Sequence, residues 1–234
     1  LDIFESVKSV IAPPHKAGYP FILGGIALAV LGLLIWHDLA WLGLIFTLFC
    51  LYFFRDPDRV PPLRGDLCLA PADGLVVSVA PAVPPVELGL GLAPRPRVAI
   101  FLSVLDVHVN RVPATGKITR IAYRAGTFVN AAMDKASEDN ERNALAILLP
   151  GGQEIAVVQI AGLIARRIVC EVAEGQDVIA GARFGIIRFG SRTDVYLPEG
   201  TEPLVSVGQR MIGGETVIAH LPPPASVMVM PVLP

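Results

Sequence analysis

The chain has 234 residues, enough for one or two domains with a sizeable core. A net charge of −2, with no basic patch interleaved with aromatics, excludes bulk attraction to nucleic acid, and no nucleic-acid partner is expected. Three cysteines (Cys50, Cys68, Cys170) and four histidines without HxxxH or HExxH spacing point to unpaired buried thiols and to no metal site.

Hydrophobic residues make up 53% of the chain, and the surplus concentrates between Tyr19 and Phe54. Residues 20–36 and 39–54 carry no charge, and His37-Asp38 divides them. As helices each reaches about 25 Å at 1.5 Å per residue, slightly short of the ~30 Å hydrocarbon core. The pattern predicts a hairpin turning at His37-Asp38 that either spans the bilayer or embeds in one leaflet. A signal peptide fits poorly, because the apolar region is long and no small-residue cleavage site precedes the polar part. Lys8 and Lys16 precede the pair and Arg55, Arg59 and Arg64 follow it, so both flanks are expected on the cytoplasmic side.

After Pro61-Pro62 the sequence turns to short β-branched runs punctuated by Gly and Pro. Strands are predicted at 75–79, 98–104, 117–123, 155–160, 184–189 and 194–197, and a surface helix or structured loop at 131–144. An internal repeat appears at Gly175-Gln176-Asp177-Val178-Ile179 and Gly208-Gln209-Arg210-Met211-Ile212, 33 residues apart. Two copies suit a pseudo-symmetric barrel or sandwich of biotinyl/lipoyl-like hybrid hairpins rather than a solenoid. The expected organisation is mainly β: residues 1–60 as a membrane-associated helical hairpin, 61–234 as a catalytic β domain.

Polar clusters interrupt these strands. Pro71-Ala72-Asp73-Gly74 alone reads as an ordinary turn. Asp106-Val107-His108-Val109-Asn110-Arg111 places three polar side chains at a strand end, where burial is costly without partners, and His108 suits proton transfer near pH 7. Asp134-Lys135-Ala136 is like the lysine motif of lipoyl carriers, but its flanks do not form a tight β-hairpin. Phe189-Gly190-Ser191 puts a flexible residue and a hydroxyl between two apolar runs, where a serine could attack the preceding carbonyl.

Taken together with His15-Lys16-Ala17-Gly18-Tyr19-Pro20-Phe21, Phe53-Phe54-Arg55-Asp56-Pro57, the 130–143 segment and the Gln159–Val169 run, these motifs cover nearly the whole length in order. The chain resembles the short, membrane-associated bacterial form of the phosphatidylserine decarboxylase proenzyme family. The resemblance implies self-cleavage between Gly190 and Ser191, giving a large subunit (1–190), a small one (191–234) and a pyruvoyl cofactor derived from Ser191. That ketone would form a Schiff base with the serine head group, and phosphatidylserine would lose CO₂ to become phosphatidylethanolamine. The implied partners are the lipid substrate, the bilayer and the two subunits of one precursor. An oligomer is compatible with the sequence. The implied place is the inner membrane, with catalysis on the cytoplasmic side.

By the same resemblance His108 matches a histidine that supplies a proton in decarboxylation, and Asp73 an aspartate assigned to self-cleavage. Longer members carry a second histidine where this chain has Arg111, which stays protonated and cannot be the cleavage base. Either His108 serves both steps, or Asp73 and Arg111 polarise the scissile peptide. Arg166, Arg167, Arg188 and Arg192 are each able to hold an anion or to be structural, and the sequence does not choose among them. Two other readings stay open: a non-catalytic anchored carrier, and decarboxylation of a related serine lipid.

Overall fold

The computed structural model describes residues 12–126, 140–162, 167–188 and 191–222. The sequence 130–139, including the Asp134-Lys135-Ala136 motif, lies outside the described residues, as do Arg166, Phe189 and Gly190.

Two helices come first, α1 (Tyr19–Ile35) and α2 (His37–Phe53). Pro20 opens α1, where its missing N–H costs nothing. The break falls at Trp36, whose extended backbone (φ −162°, ψ 116°) ends one helix and starts the other. His37 and Asp38 are therefore the first turn of α2 and not the connecting turn, and Asp38 there complements the helix dipole. Close approach depends on Gly43, where an added Cβ would collide with the backbone of Ala29. The outer surface stays apolar and uncovered: Leu23, Leu34, Ile35, Trp36, Trp41 and Ile45 are all more than 60% exposed. The stretch Lys16–Ile35 is long and apolar enough to cross a membrane, and α2 is a slightly shorter apolar helix.

The remainder is mainly β. Its strands are β1 (Leu67–Leu69), β2 (Gly74–Ala82), β3 (Arg95–Leu102), β4 (Val109–Arg111), β5 (Gly116–Arg124) and β6 (Arg142–Leu148). There follow β7 (Glu154–Ala161), β8 (Ile168–Cys170), β9 (Asp177–Val178), β10 (Arg183–Ile187), β11 (Ser191–Tyr196), β12 (Arg210–Met211) and β13 (Val217–His220). The helix expected over 131–144 is corrected at its C-terminal end. Residues 142–144 open β6, because Ala144, Ala146 and Leu145, Ile147 alternate between two buried faces.

The large sheet runs β12-β2-β3-β11-β7-β6-β5-β9, and all its pairs are antiparallel. This order is a pseudo-twofold about the β11–β7 pair, and the sequence repeat sits at its two edges. Gly175 (φ 82°) and Gly208 (φ 91°) hold left-handed turns that favour glycine. Gly175 N donates to Ile118 O and Gly208 N to Val76 O, both at 2.8 Å, and the following glutamines return through their carbonyls at 2.9 Å. Both contacts sit at a β-bulge, on β5 and β2 respectively. The sheet curls into a half-barrel. Its inner face packs Val98, Ile100, Leu145, Val157 and Val195 against Phe184 and Ile218 of the smaller sheets. Its outer face is covered by the β2–β3 connection through Leu88 and Leu90.

The hairpin base docks on one end of this body. Phe53 and Phe54 are fully buried and pack with Val107, Val109 and Ile186. His15 N to Phe54 O (2.7 Å) and Asp56 N to Pro13 O (2.8 Å) clasp the two legs of the hairpin.

Candidate active site

Ser191 opens β11, a strand buried throughout its length. Its neighbours in register are Leu102 on β3 and Ala161 on β7. Alternation sends Ser191, Thr193 and Val195 to the inner face and Arg192, Asp194 and Tyr196 to the outer one. Ser191 is fully buried, and its Oγ has no hydrogen-bond partner among the described residues. A buried hydroxyl without a partner costs free energy that a structural serine would have no reason to bear.

Ser191 is not the only uncommitted group there. Gln159, opposite Thr193, donates from Nε2 to Asn110 Oδ1 (2.8 Å) and accepts from Asn143 Nδ2 (2.9 Å). That fixes the Asn110 amide, while its Nδ2 and Thr193 Oγ1 have no hydrogen-bond partner among the described residues. Asn110 and Gln159 are fully buried. The sequence singles out Asn110 as one polar group of a strand end and Gln159 as the start of the Gln159–Val169 run, but gives neither a role. The available signal was a lone amide inside the apolar run Ala156-Val157-Val158-Gln159-Ile160.

His108 comes to the same end through the backbone. Its carbonyl accepts from Ile187 N (3.3 Å), and Ile187 packs against Ala161, the register partner of Ser191. Its ring lies 4.2 Å from that of Phe53, at the hairpin base. Burial is the main cause that lowers its pKa to about 4, helped slightly by Arg55 and opposed by Asp106. Nδ1 lies 2.9 Å from Asp106 O, and a carbonyl only accepts, so Nδ1 carries the proton and Nε2 is the basic nitrogen. At pH 7 this imidazole is neutral.

Asp73 is placed differently. Leu75 registers opposite Phe101 and Ser191 opposite Leu102, so β3 lies between them and the backbones are about 10 Å apart. Its carboxylate accepts from Arg59 Nη2 at 2.7 and 3.0 Å and from Gly213 N at 2.8 Å. Burial nonetheless raises its pKa, against the pull of Arg59. Arg111 does not face the junction. It donates to Gly181 O (3.0 Å) and Pro57 O (2.7 Å) and pairs with Asp56 (3.4 Å), which also holds Arg183 at 2.6 Å. It ties the segment after the hairpin to a repeat turn.

The basic residues near the junction separate. Arg192 is 1% exposed and paired with Asp194 at 2.7 and 2.9 Å, with Arg97 at 3.5 Å from the same carboxylate. It is a buried structural residue. Arg167 and Arg188 have no carboxylate partner among the described residues.

A profile of the phosphatidylserine decarboxylase family matches residues 46–219. A phosphatidylserine decarboxylase proenzyme of Granulibacter bethesdensis is 70% identical over 223 residues, 95% of this chain and 91% of that one. Proteins of the same name from Gluconacetobacter diazotrophicus and Cereibacter sphaeroides are 60% and 56% identical, covering 94% and 93% of this chain and 100% and 94% of theirs. With a match over most of its length and relatives well above half identical, the chain belongs to the phosphatidylserine decarboxylase family.

Proposed function

We propose that this chain is a proenzyme that cuts itself between Gly190 and Ser191 and then decarboxylates phosphatidylserine to phosphatidylethanolamine at a membrane surface. The observation that carries the reading is the buried, unpartnered Ser191 Oγ at the start of β11. Attack on the Gly190 carbonyl carbon would form a C–O bond and break the C–N bond, converting the amide into an ester. Loss of the Ser191 α-proton expels the Gly190 carboxylate and leaves dehydroalanine. Its enamine tautomerises to an imine, and water releases ammonia to leave a pyruvoyl group.

His108 Nε2, neutral at pH 7, is suited to take the Ser191 hydroxyl proton, and once protonated it becomes the acid for a later step. Asn110 Nδ2 offers an amide N–H to the carbonyl oxygen as it gains charge, a role worth about 10²–10³ in rate. Asp73 with Arg59 acts at a distance, by fixing the turn that opens β2 beside β3. Arg111 is committed to Asp56, Pro57 and Gly181, which favours His108 serving both cleavage and turnover. The pyruvoyl group supplies an electron sink for the departing CO₂. The apolar surroundings of Ser191, namely Leu102, Ala161 and Ile187, favour loss of charge from the substrate carboxylate. The exposed apolar hairpin holds the site at the bilayer, on the cytoplasmic side of an inner membrane by its basic flanks.

Intact mass under denaturing conditions tests this. The expected result is two pieces, residues 1–190 and 191–234, the smaller without a free N-terminal amine, together with CO₂ release from phosphatidylserine vesicles. A single chain, or one heavier by a lipoyl group, refutes it.

A further inference from the structure

We propose that Arg188, supported by Arg167, binds the phosphodiester of the lipid head group. This rests on the decarboxylase reading and names the anion subsite of that same site. Arg188 directly follows β10 and lies three residues before Ser191 in sequence, about 10 Å of extended chain at most. Its backbone N–H donates to Arg167 O at 3.3 Å, so the two residues are neighbours across the strands. Arg188 Nε is buried and has no hydrogen-bond partner among the described residues. Burial and, next, Arg167 lower its pKa, so two like charges stand together. A guanidinium fork with a buried idle N–H and no carboxylate answering it is arranged for an external oxyanion.

Position selects which oxyanion. The Arg188 guanidinium lies 5.4 Å from the ring centre of Phe21, near the start of α1, whose outer surface is the exposed apolar band. With that band in hydrocarbon, Arg188 sits at the depth of the phosphates. A methylene and a methine carbon separate the phosphate ester oxygen from the amine that must reach the residue derived from Ser191, so one head group bridges both places. The substrate carboxylate is the wrong ligand for an arginine. A guanidinium on it would stabilise the charge that has to be dispersed as CO₂ leaves. The other oxyanion of matching chemistry is the Gly190 carboxylate freed by cleavage, and the test separates the two.

The experiment compares wild type, Arg188→Gln, Arg188→Lys and Arg167→Gln in mixed micelles, with cleavage followed on gels. Losing a charged hydrogen bond to phosphate should raise KM for phosphatidylserine about tenfold or more in Arg188→Gln, with kcat much less affected and cleavage retained. Arg167→Gln should move KM the same way by less, and Arg188→Lys should recover part of the loss. Glycerophosphoethanolamine, which keeps the phosphodiester, should inhibit wild type better than ethanolamine does, and Arg188→Gln should erase that difference. An unchanged KM, an intact preference for glycerophosphoethanolamine, or an uncut or dissociating Arg188→Gln would overturn the proposal. The last of these would give the arginine to the Gly190 carboxylate. Failure of wild type to release CO₂ from phosphatidylserine would instead sink the underlying decarboxylase reading.

Discussion

Replacing His108 should change how stability depends on pH, by an amount the structure sets. Burial depresses the folded-state pKa from 6.5 to about 4, so the folded chain holds this imidazole neutral while the unfolded chain binds a proton below pH 6.5. The stabilisation is therefore fully present above pH 6.5 and is lost progressively as pH falls toward 4, at about 1.4 kcal/mol per pH unit. The comparison is between Ser191→Ala and Ser191→Ala/His108→Gln, neither of which is expected to cleave. Urea unfolding in detergent micelles at pH 7.5 and pH 5 should show the gap between these two chains shifting by about 2 kcal/mol, with the histidine chain losing more at pH 5. Carboxylates titrate in both chains and cancel. A gap that does not move with pH would mean that His108 is solvated, and one that moves the other way that it is charged; either would remove the neutral-base role.

Three further outcomes follow from particular contacts. Asp194→Ala removes the buried carboxylate that Arg192 and Arg97 share, so the chain should lose about 3–5 kcal/mol, or about 6–20 °C in Tm for its size. A thermal melt checks this, and Asp194→Asn should cost less because it keeps an acceptor. Asn110→Leu removes the fixed amide beside the junction and should slow appearance of the small fragment about 10²–10³-fold, read by quenched time points on a gel. Gly43→Leu forces α2 away from the Ala29 backbone and should cost about 1–3 kcal/mol in detergent unfolding, while cleavage still goes to completion.

The sequence made the hairpin, the β class and the repeat legible because each rests on local pattern. Charge-free runs mark α1 and α2, and the Gly-Gln turns reappear as matching hydrogen bonds to Val76 and Ile118. Strands of two or three residues, such as β9 and β12, carry too little periodicity to be seen and form only because β5 and β2 are there to pair with them. At 142–144 charged residues upstream suggested a helix, but tertiary pairing with β5 and β7 decides for a strand. Ser191, His108 and Asp73 could be named from motifs, whereas their partners could not. Arg59 answers Asp73 from 14 residues away, and Gln159 reaches Asn110 from 49 away. Such pairings depend on register and chain crossing, which composition does not encode. The same holds for Arg192 and Arg188, since only the fold commits Arg192 to Asp194 and sets Arg188 against Phe21.

Burial of Ser191 has a consequence for the order of events. A hydroxyl with no exposure cannot meet a lipid head group, so on the proposed reading self-cleavage would have to precede turnover. On the proposed reading, the same burial would shield an ester between Gly190 and Ser191 from simple hydrolysis and favour elimination. The proposed cut between Gly190 and Ser191 would untie the end of β10 from the start of β11, on the side where His108 meets Phe53 and Arg188 meets Phe21 of the hairpin. β11 itself is held by β3 and β7 on either side and by the Arg192–Asp194 pair, so the N-terminus that the proposed cut would create should stay registered. On the proposed reading, one cut would turn a buried nucleophile into the site of decarboxylation while the strand that carries it keeps its place between β3 and β7.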